Sequence, residues 1–168
     1  MSAIDSLVTC TASTPRPNYK VRSKSVAAPE ASAHGQMHIL SISPTAEDHE
    51  ALRRVMDGFM WQLSAVATCA EGLTQLCRDQ VSVIFCESVL EDGTWKDILN
   101  HLKNIARAPL LIVTSRLADE HLWAEVLNMG GFDVLAKPFS DQEVSHVLTT
   151  ASLSGLKTPA RSRTAGAD

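Results

Sequence analysis

Lys137 stands immediately before Pro138, at the end of the apolar run Phe132-Asp133-Val134-Leu135-Ala136. A residue that precedes proline is steered away from helical dihedrals. This lysine is therefore predicted to stay extended at the carboxyl end of a strand, the edge where open α/β sheets place their chemistry. Three other apolar runs end in the same way: Ser43-Pro44 follow residues 38–42, Glu87 follows residues 81–86, and Thr114 closes residues 110–114. An ammonium, a carboxylate and hydroxyls gathered at one sheet edge can hold an anion or neutralise one another. Taken alone, Lys137 is equally explained as a solvated residue in a strand-to-helix turn.

The elements that must position these residues follow from periodicity. From residue 37 onward, short continuous apolar runs alternate with longer stretches of helical period, the pattern of alternating strand and helix. The strands are predicted at residues 38–42, 61–68, 81–86, 110–114 and 132–136. The helices between and after them carry inward faces of Leu52, Val55, Met56 and Phe59; of Ala70, Leu73, Leu76 and Cys77; of Trp95, Ile98, Leu102 and Ile105; of Leu122, Val126 and Met129; and of Val144, Val147, Leu148 and Ala151. Thr45 and Thr94 are the expected caps of the first and third helices, with Glu47 and Asp48 placed in a first turn where the helix dipole favours acids. Residues 87–93 read as a polar loop, and Gly130-Gly131 as the stop of the fourth helix. Near-continuous apolar strands joined by helices imply an α/β fold with a doubly wound, five-stranded parallel sheet.

Composition bounds the function. With 168 residues, 45% of them apolar, the chain supports one globular domain, predicted over residues 37–151. Residues 1–36 and 152–168 are rich in small and polar residues and read as disordered tails. Of 15 basic and 19 acidic residues, the tails take four and two at the start and three and one at the end. That leaves eight basic and 16 acidic residues in the domain, a net charge of −8, which argues against a nucleic-acid face. Cys10, Cys69, Cys77 and Cys86 show no C-x-x-C spacing and read as thiols in a reducing compartment. No run is long enough for a membrane span. Leu7-Val8-Thr9-Cys10 and the basic, serine-rich start only imitate targeting signals, because no apolar h-region accompanies them. The expected location is the cytoplasm. His34, His38 and His49 form no metal motif.

Over about residues 37–151 the chain resembles the receiver domains of bacterial two-component response regulators. The order of elements, Thr114 and Lys137-Pro138-Phe139 carry the resemblance. It implies a (βα)5, flavodoxin-like or receiver-like fold and a site in which an aspartate after the third strand accepts a phosphoryl group from a histidine kinase. Two acids after the first strand help to hold Mg²⁺, the threonine responds to phosphorylation, and the lysine contacts the phosphate.

This chain departs from that pattern. Ser43 and Pro44 stand at the acidic-pair positions, so Glu87 is expected to be the only carboxylate left and Mg²⁺ binding to be lost or weak. Glu87 stands at the acceptor position, one methylene longer than aspartate, and misplacement on that scale costs orders of magnitude in rate. Val134 occupies the position of the switch aromatic. Paired with Lys137, Glu87 would be a permanent substitute for a transient charge. These departures imply a pseudo-receiver, not an enzyme, that needs no cofactor and acts on a protein partner such as a histidine kinase or another signalling protein. A second copy of the chain is a further candidate partner. The family's partner face, made by the fourth helix, fifth strand and fifth helix, maps to Trp123, Asn128, Val134, Phe139 and His146. Two alternatives stay open: a receiver phosphorylated on Glu87 or on Asp92 after a register shift, and a flavin- or nucleotide-binding enzyme of flavodoxin type.

Overall fold

A computed structural model of the chain describes residues 37–155 apart from Gly58 and Met60. The readings made for residues 1–36 and 156–168 lie outside the described residues. The strands are β1 (His38–Ile42), β2 (Gln62–Val66), β3 (Val83–Glu87), the short pair β4 (Val89–Leu90) and β5 (Gly93–Thr94), β6 (Leu110–Ser115) and β7 (Asp133–Ala136). The helices are α1 (Ala46–Met56), α2 (Cys69–Arg78), α3 (Trp95–Leu102), α4 (Glu120–Met129) and α5 (Asp141–Gly155). Five strands form one parallel sheet in the order β2-β1-β3-β6-β7, while β4 and β5 form a small antiparallel hairpin. This is the doubly wound order, which reverses direction between β1 and β3 and opens a crevice there at the carboxyl ends of the strands.

Strand alternation divides the core into two layers. Ile39, Val83, Phe85, Ile112 and Leu135 meet Leu52 and Met56 of α1 and Val144, Val147, Leu148 and Ala151 of α5. The intervening residues Leu40, Ile42, Ile84, Cys86, Leu111 and Val113 meet Cys69 of α2, Val126 of α4 and the buried face of α3 from Trp95 to Leu102. Helices therefore cover both faces of the sheet, which is why its strands are apolar at nearly every position.

Four local expectations are corrected. The inward face of α2 is Cys69, Gly72, Leu73 and Leu76, with Ala70 and Cys77 exposed, because the helix starts at Cys69 and its i, i+3, i+4, i+7 row runs from there. The thiol reading holds at Cys69 and Cys86, which are buried and free, and is corrected at Cys77, which is disulfide-bonded. The stretch read as a polar loop at residues 87–93 contains the β4–β5 hairpin. Finally, α5 runs four residues past the expected boundary at 151. Its added turn is polar but not irregular, since Ser152 and Ser154 donate their hydroxyls back to the carbonyls of Thr149 and Thr150.

The glycine stop after α4 is built as expected. Gly130 has φ 103°, in the left-handed region, and Gly131 N–H donates to the Val126 carbonyl at 2.8 Å. A Cβ on Gly131 would lie 2.4 Å from Val126 Cγ1 and 3.0 Å from the Val126 carbonyl oxygen, and the second of these atoms is backbone that cannot turn aside. Gly131→Ala is expected to lower stability by about 1–3 kcal/mol through overpacking, read as a drop in the urea midpoint with an unchanged slope. Gly130→Ala meets no atom within 4 Å and should cost about 1–2 kcal/mol through its backbone conformation alone.

Candidate functional site

The same alternation that sorts the core builds the site. Ser41 and Ser43 continue the row of Ile39, Glu87 continues Val83 and Phe85, Thr114 follows Ile112, and Lys137 follows Leu135. Each of these rows faces the α1 and α5 layer, and each turns from apolar to polar at its carboxyl end. Glu87 and Thr114 are register partners across β3 and β6, and Lys137 N–H donates to the Ser115 carbonyl at 3.0 Å. The Lys137–Pro138 peptide bond is cis.

Lys137 Nζ donates to carboxylate oxygens of both Glu87 and Asp48. The side chains of Lys137, Asp48 and Glu87 are only 5%, 11% and 17% exposed. Glu87 thus pairs with Lys137, but the expectation that it is the only carboxylate there is overturned by Asp48. Its place in the first turn of α1 predicts only a dipole-compensating acid. It stands instead four residues before Leu52 and eight before Met56, on the buried stripe of α1, which aims it at the sheet edge. Glu47, one position earlier, is exposed. Periodicity carried this signal: the acid in phase with the core row is the one that enters the site.

Ser43 reaches the site without being acidic. Its hydroxyl donates to Asp48 Oδ2 at 2.5 Å and accepts from Thr45 N–H at 3.2 Å. Thr45 stands at the cap position of α1 but makes no side-chain cap bond. Pro44 is exposed and supplies no polar group. His49 secures the same turn: its Nε2 lies 3.0 Å from the Ser43 carbonyl and its Nδ1 2.8 Å from Ser41 Oγ. A carbonyl oxygen only accepts, so Nε2 carries the proton, and in the neutral ring Nδ1 accepts from the Ser41 hydroxyl. Sequence reading weighed His49 only as a metal ligand and missed this positioning contact.

The remaining candidates fall elsewhere. Both carboxylate oxygens of Asp92 accept backbone amides, from Cys69 at 2.8 Å and Ala70 at 2.9 Å, so this acid ties the β4–β5 turn to the start of α2. Val134 belongs to the opposite row of β7 and packs, half-buried, into the layer of α2, α3 and α4. Of the residues on the expected partner face, Trp123, Asn128 and His146 are exposed. Phe139 instead packs against the core, with Lys137 Nζ 5.9 Å from its ring centroid. Burial pushes both core thiols up, Cys69 to about 12, so neither is a thiolate at neutral pH. Among the described residues, no three His, Cys, Asp or Glu side chains are grouped to hold a metal ion.

A parallel sheet of this order, with a threonine and a lysine at its carboxyl edge, is the fold of response-regulator receiver domains, and solved structures match it as such. A signal receiver domain from Vibrio parahaemolyticus superposes with a TM-score of 0.68 at 13% identity, covering 72% of this chain and 93% of that one. The signal receiver domain of an HD domain-containing protein from Pseudomonas fluorescens gives 0.66 at 18% identity, over 73% and 99% of the two chains. A two-component response regulator from Clostridium difficile gives 0.63 at 20% identity, over 73% and 100%. No protein-family model and no curated protein matches the sequence. Among the described residues, no helix is long and apolar enough to cross a membrane.

Proposed function

We propose that this receiver-fold domain is a pseudo-receiver that acts by binding a signalling protein, without phosphotransfer. The observation that carries this reading is the double engagement of Lys137: the ammonium that would meet a phosphoryl group is already bonded to Glu87 and Asp48, in a pocket nearly closed to water. A phosphoryl group on Glu87 would have to displace that ammonium and start from a carboxylate one methylene out of place. Mg²⁺ does not fit the residues present, because it needs near-octahedral oxygen ligands and the space between the two carboxylates is filled by the lysine. The Ser43 hydroxyl is spent on Asp48, which leaves the first turn poorly equipped to cradle a nucleotide phosphate. Asp92 is equally ill-suited as an acceptor, since both its oxygens cap α2. The partner, such as a histidine kinase, would meet the exposed part of the α4, β7 and α5 face around Trp123, which is 51% exposed.

The test is a mass measurement after incubation with acetyl phosphate and Mg²⁺. An unchanged mass is expected, for the wild type and for Glu87→Ala alike. A gain of one phosphoryl group that disappears in Glu87→Ala would establish phosphotransfer and end this reading.

A further inference from the structure

Cys77 stands exposed in the last turn of α2, and it is disulfide-bonded. The sequence holds four cysteines. Cys69 and Cys86 are buried and free, so one cysteine of the chain is left to pair with it, Cys10. Helix geometry excludes Cys69 independently. It lies eight residues before Cys77 on the same helix, about 12 Å away along the axis, whereas a disulfide joins Cα atoms no more than about 7 Å apart. Burial also pushes both core thiols up, Cys69 to about 12, which withholds the thiolate that disulfide exchange requires.

The fold puts the end of α2 within reach of the chain that precedes the domain. Helix α2 leads back to the edge where the strands begin, and there Ser82 N–H donates to the His38 carbonyl at 2.7 Å and Gln62 N–H to the Met37 carbonyl at 2.9 Å. Residues 1–36 thus join the domain at the edge where α2 ends. The 26 residues between Cys10 and Met37 reach about 85 Å when fully extended, so closure onto Cys77 imposes no strain. Charge favours the same contact, because residues 1–36 carry four basic against two acidic side chains and the domain over 37–151 carries a net −8.

We propose that Cys77 is one half of a redox-sensitive tether: a disulfide to Cys10 fastens the amino-terminal segment over the outer face of α2, where Ala70, Thr74 and Cys77 are exposed, and reduction releases it. An exposed disulfide is open to attack and belongs to the labile, regulatory class. In a reducing compartment such bonds are transient. The bond forms by double thiol–disulfide exchange. One protein thiolate attacks a small disulfide such as oxidised glutathione, giving a mixed disulfide and one glutathione thiolate, and the second protein thiolate displaces the other. The two protein thiols lose two electrons and two protons, and the small disulfide takes up both and leaves as two thiols. Excess reduced glutathione runs the exchange backwards. The tether does not depend on whether the Glu87 site accepts a phosphoryl group.

Mass mapping of the full chain, equilibrated at set ratios of oxidised to reduced glutathione and then alkylated, reads the pairing. Digestion with trypsin and a glutamate-specific protease separates Cys69 from Cys77 at Glu71. The Cys10 peptide joined to Gly72–Arg78 is expected at high ratios, giving way to two alkylated peptides as the ratio falls, with Cys69 and Cys86 alkylated only after unfolding. Tryptic cleavage of the native chain at Lys20, Arg22 and Lys24 should be at least about tenfold slower when oxidised, since cleavage tracks the open population. In Cys10→Ser and Cys77→Ser it should be the same at every ratio, with the fold intact by circular dichroism. The proposal is overturned if Cys77 is joined to a second copy of the chain, if it carries only glutathione or stays alkylatable at every ratio, or if oxidised and reduced protein are cut equally fast.

Discussion

Lys137→Met is expected to destabilise the domain by about 3–5 kcal/mol, the cost of leaving buried charge without its partner. Methionine keeps the length and apolar stem of lysine, so packing against Phe139 changes little and the loss is electrostatic. What remains is a pair of carboxylates, 11% and 17% exposed, facing each other with no cation between them. The order of effects then follows. Adding Asp48→Asn or Glu87→Gln to Lys137→Met should restore part of the loss, since each removes one of the two stranded charges. Breaking the exposed Arg54–Asp141 pair, whose side chains are 65% and 61% exposed, should cost no more than about 1 kcal/mol. Urea unfolding of the four variants measures this directly. If Lys137→Met loses as little as the surface pair, the cluster is solvated in solution and holds nothing in place.

This result bears on function as well as stability. A ligand shifts an equilibrium only by its differential affinity for the two states. Here the lysine is committed in advance to two carboxylates from different elements, α1 and β3. On the proposed pseudo-receiver reading, a substitution that frees it should therefore alter partner binding even though Lys137 is buried.

The fold was legible because the strands are buried on both sides and announce themselves as continuous apolar runs, and because Gly130-Gly131 and Pro138 punctuate the chain where the backbone needs them. The polar ends of those runs gave Glu87, Thr114 and Lys137 by simple counting. Asp48 was harder to read because two physical effects favour an acid there. As a first-turn residue it suits the helix dipole, and only its phase with Leu52 and Met56 distinguishes the buried acid from a capping one. The hairpin at Val89–Leu90 and Gly93–Thr94 is too short for any period to show. The α2 face was misplaced because Ala70 and Cys77 are themselves apolar, so composition could not separate them from the true row, and only the helix start fixes the phase.

Phe85→Ala is the second substitution expected to cost heavily, about 3–5 kcal/mol. Phe85 is 1% exposed on the central strand, registered between Ser41 of β1 and Ile112 of β6, and surrounded by the side chains of α1 and α5. Flanking strands and two helices held by their own contacts cannot close over the missing ring, so a cavity persists. Phe85→Leu, which conserves most of the volume, should lose less than about 1.5 kcal/mol. Glu87 lies two residues on and on the same face, so the cavity opens toward the carboxylates of the lysine cluster. Water entering there would solvate them and soften the penalty of a missing ammonium. The effects of Phe85→Ala and Lys137→Met in one chain should then sum to less than their separate costs, by about 0.5 kcal/mol or more. Ile84→Val, one residue earlier and facing α2, α3 and α4, should add independently to Lys137→Met. Equal coupling at both positions would show that the cluster is sensitive to global stability rather than to the packing beneath it.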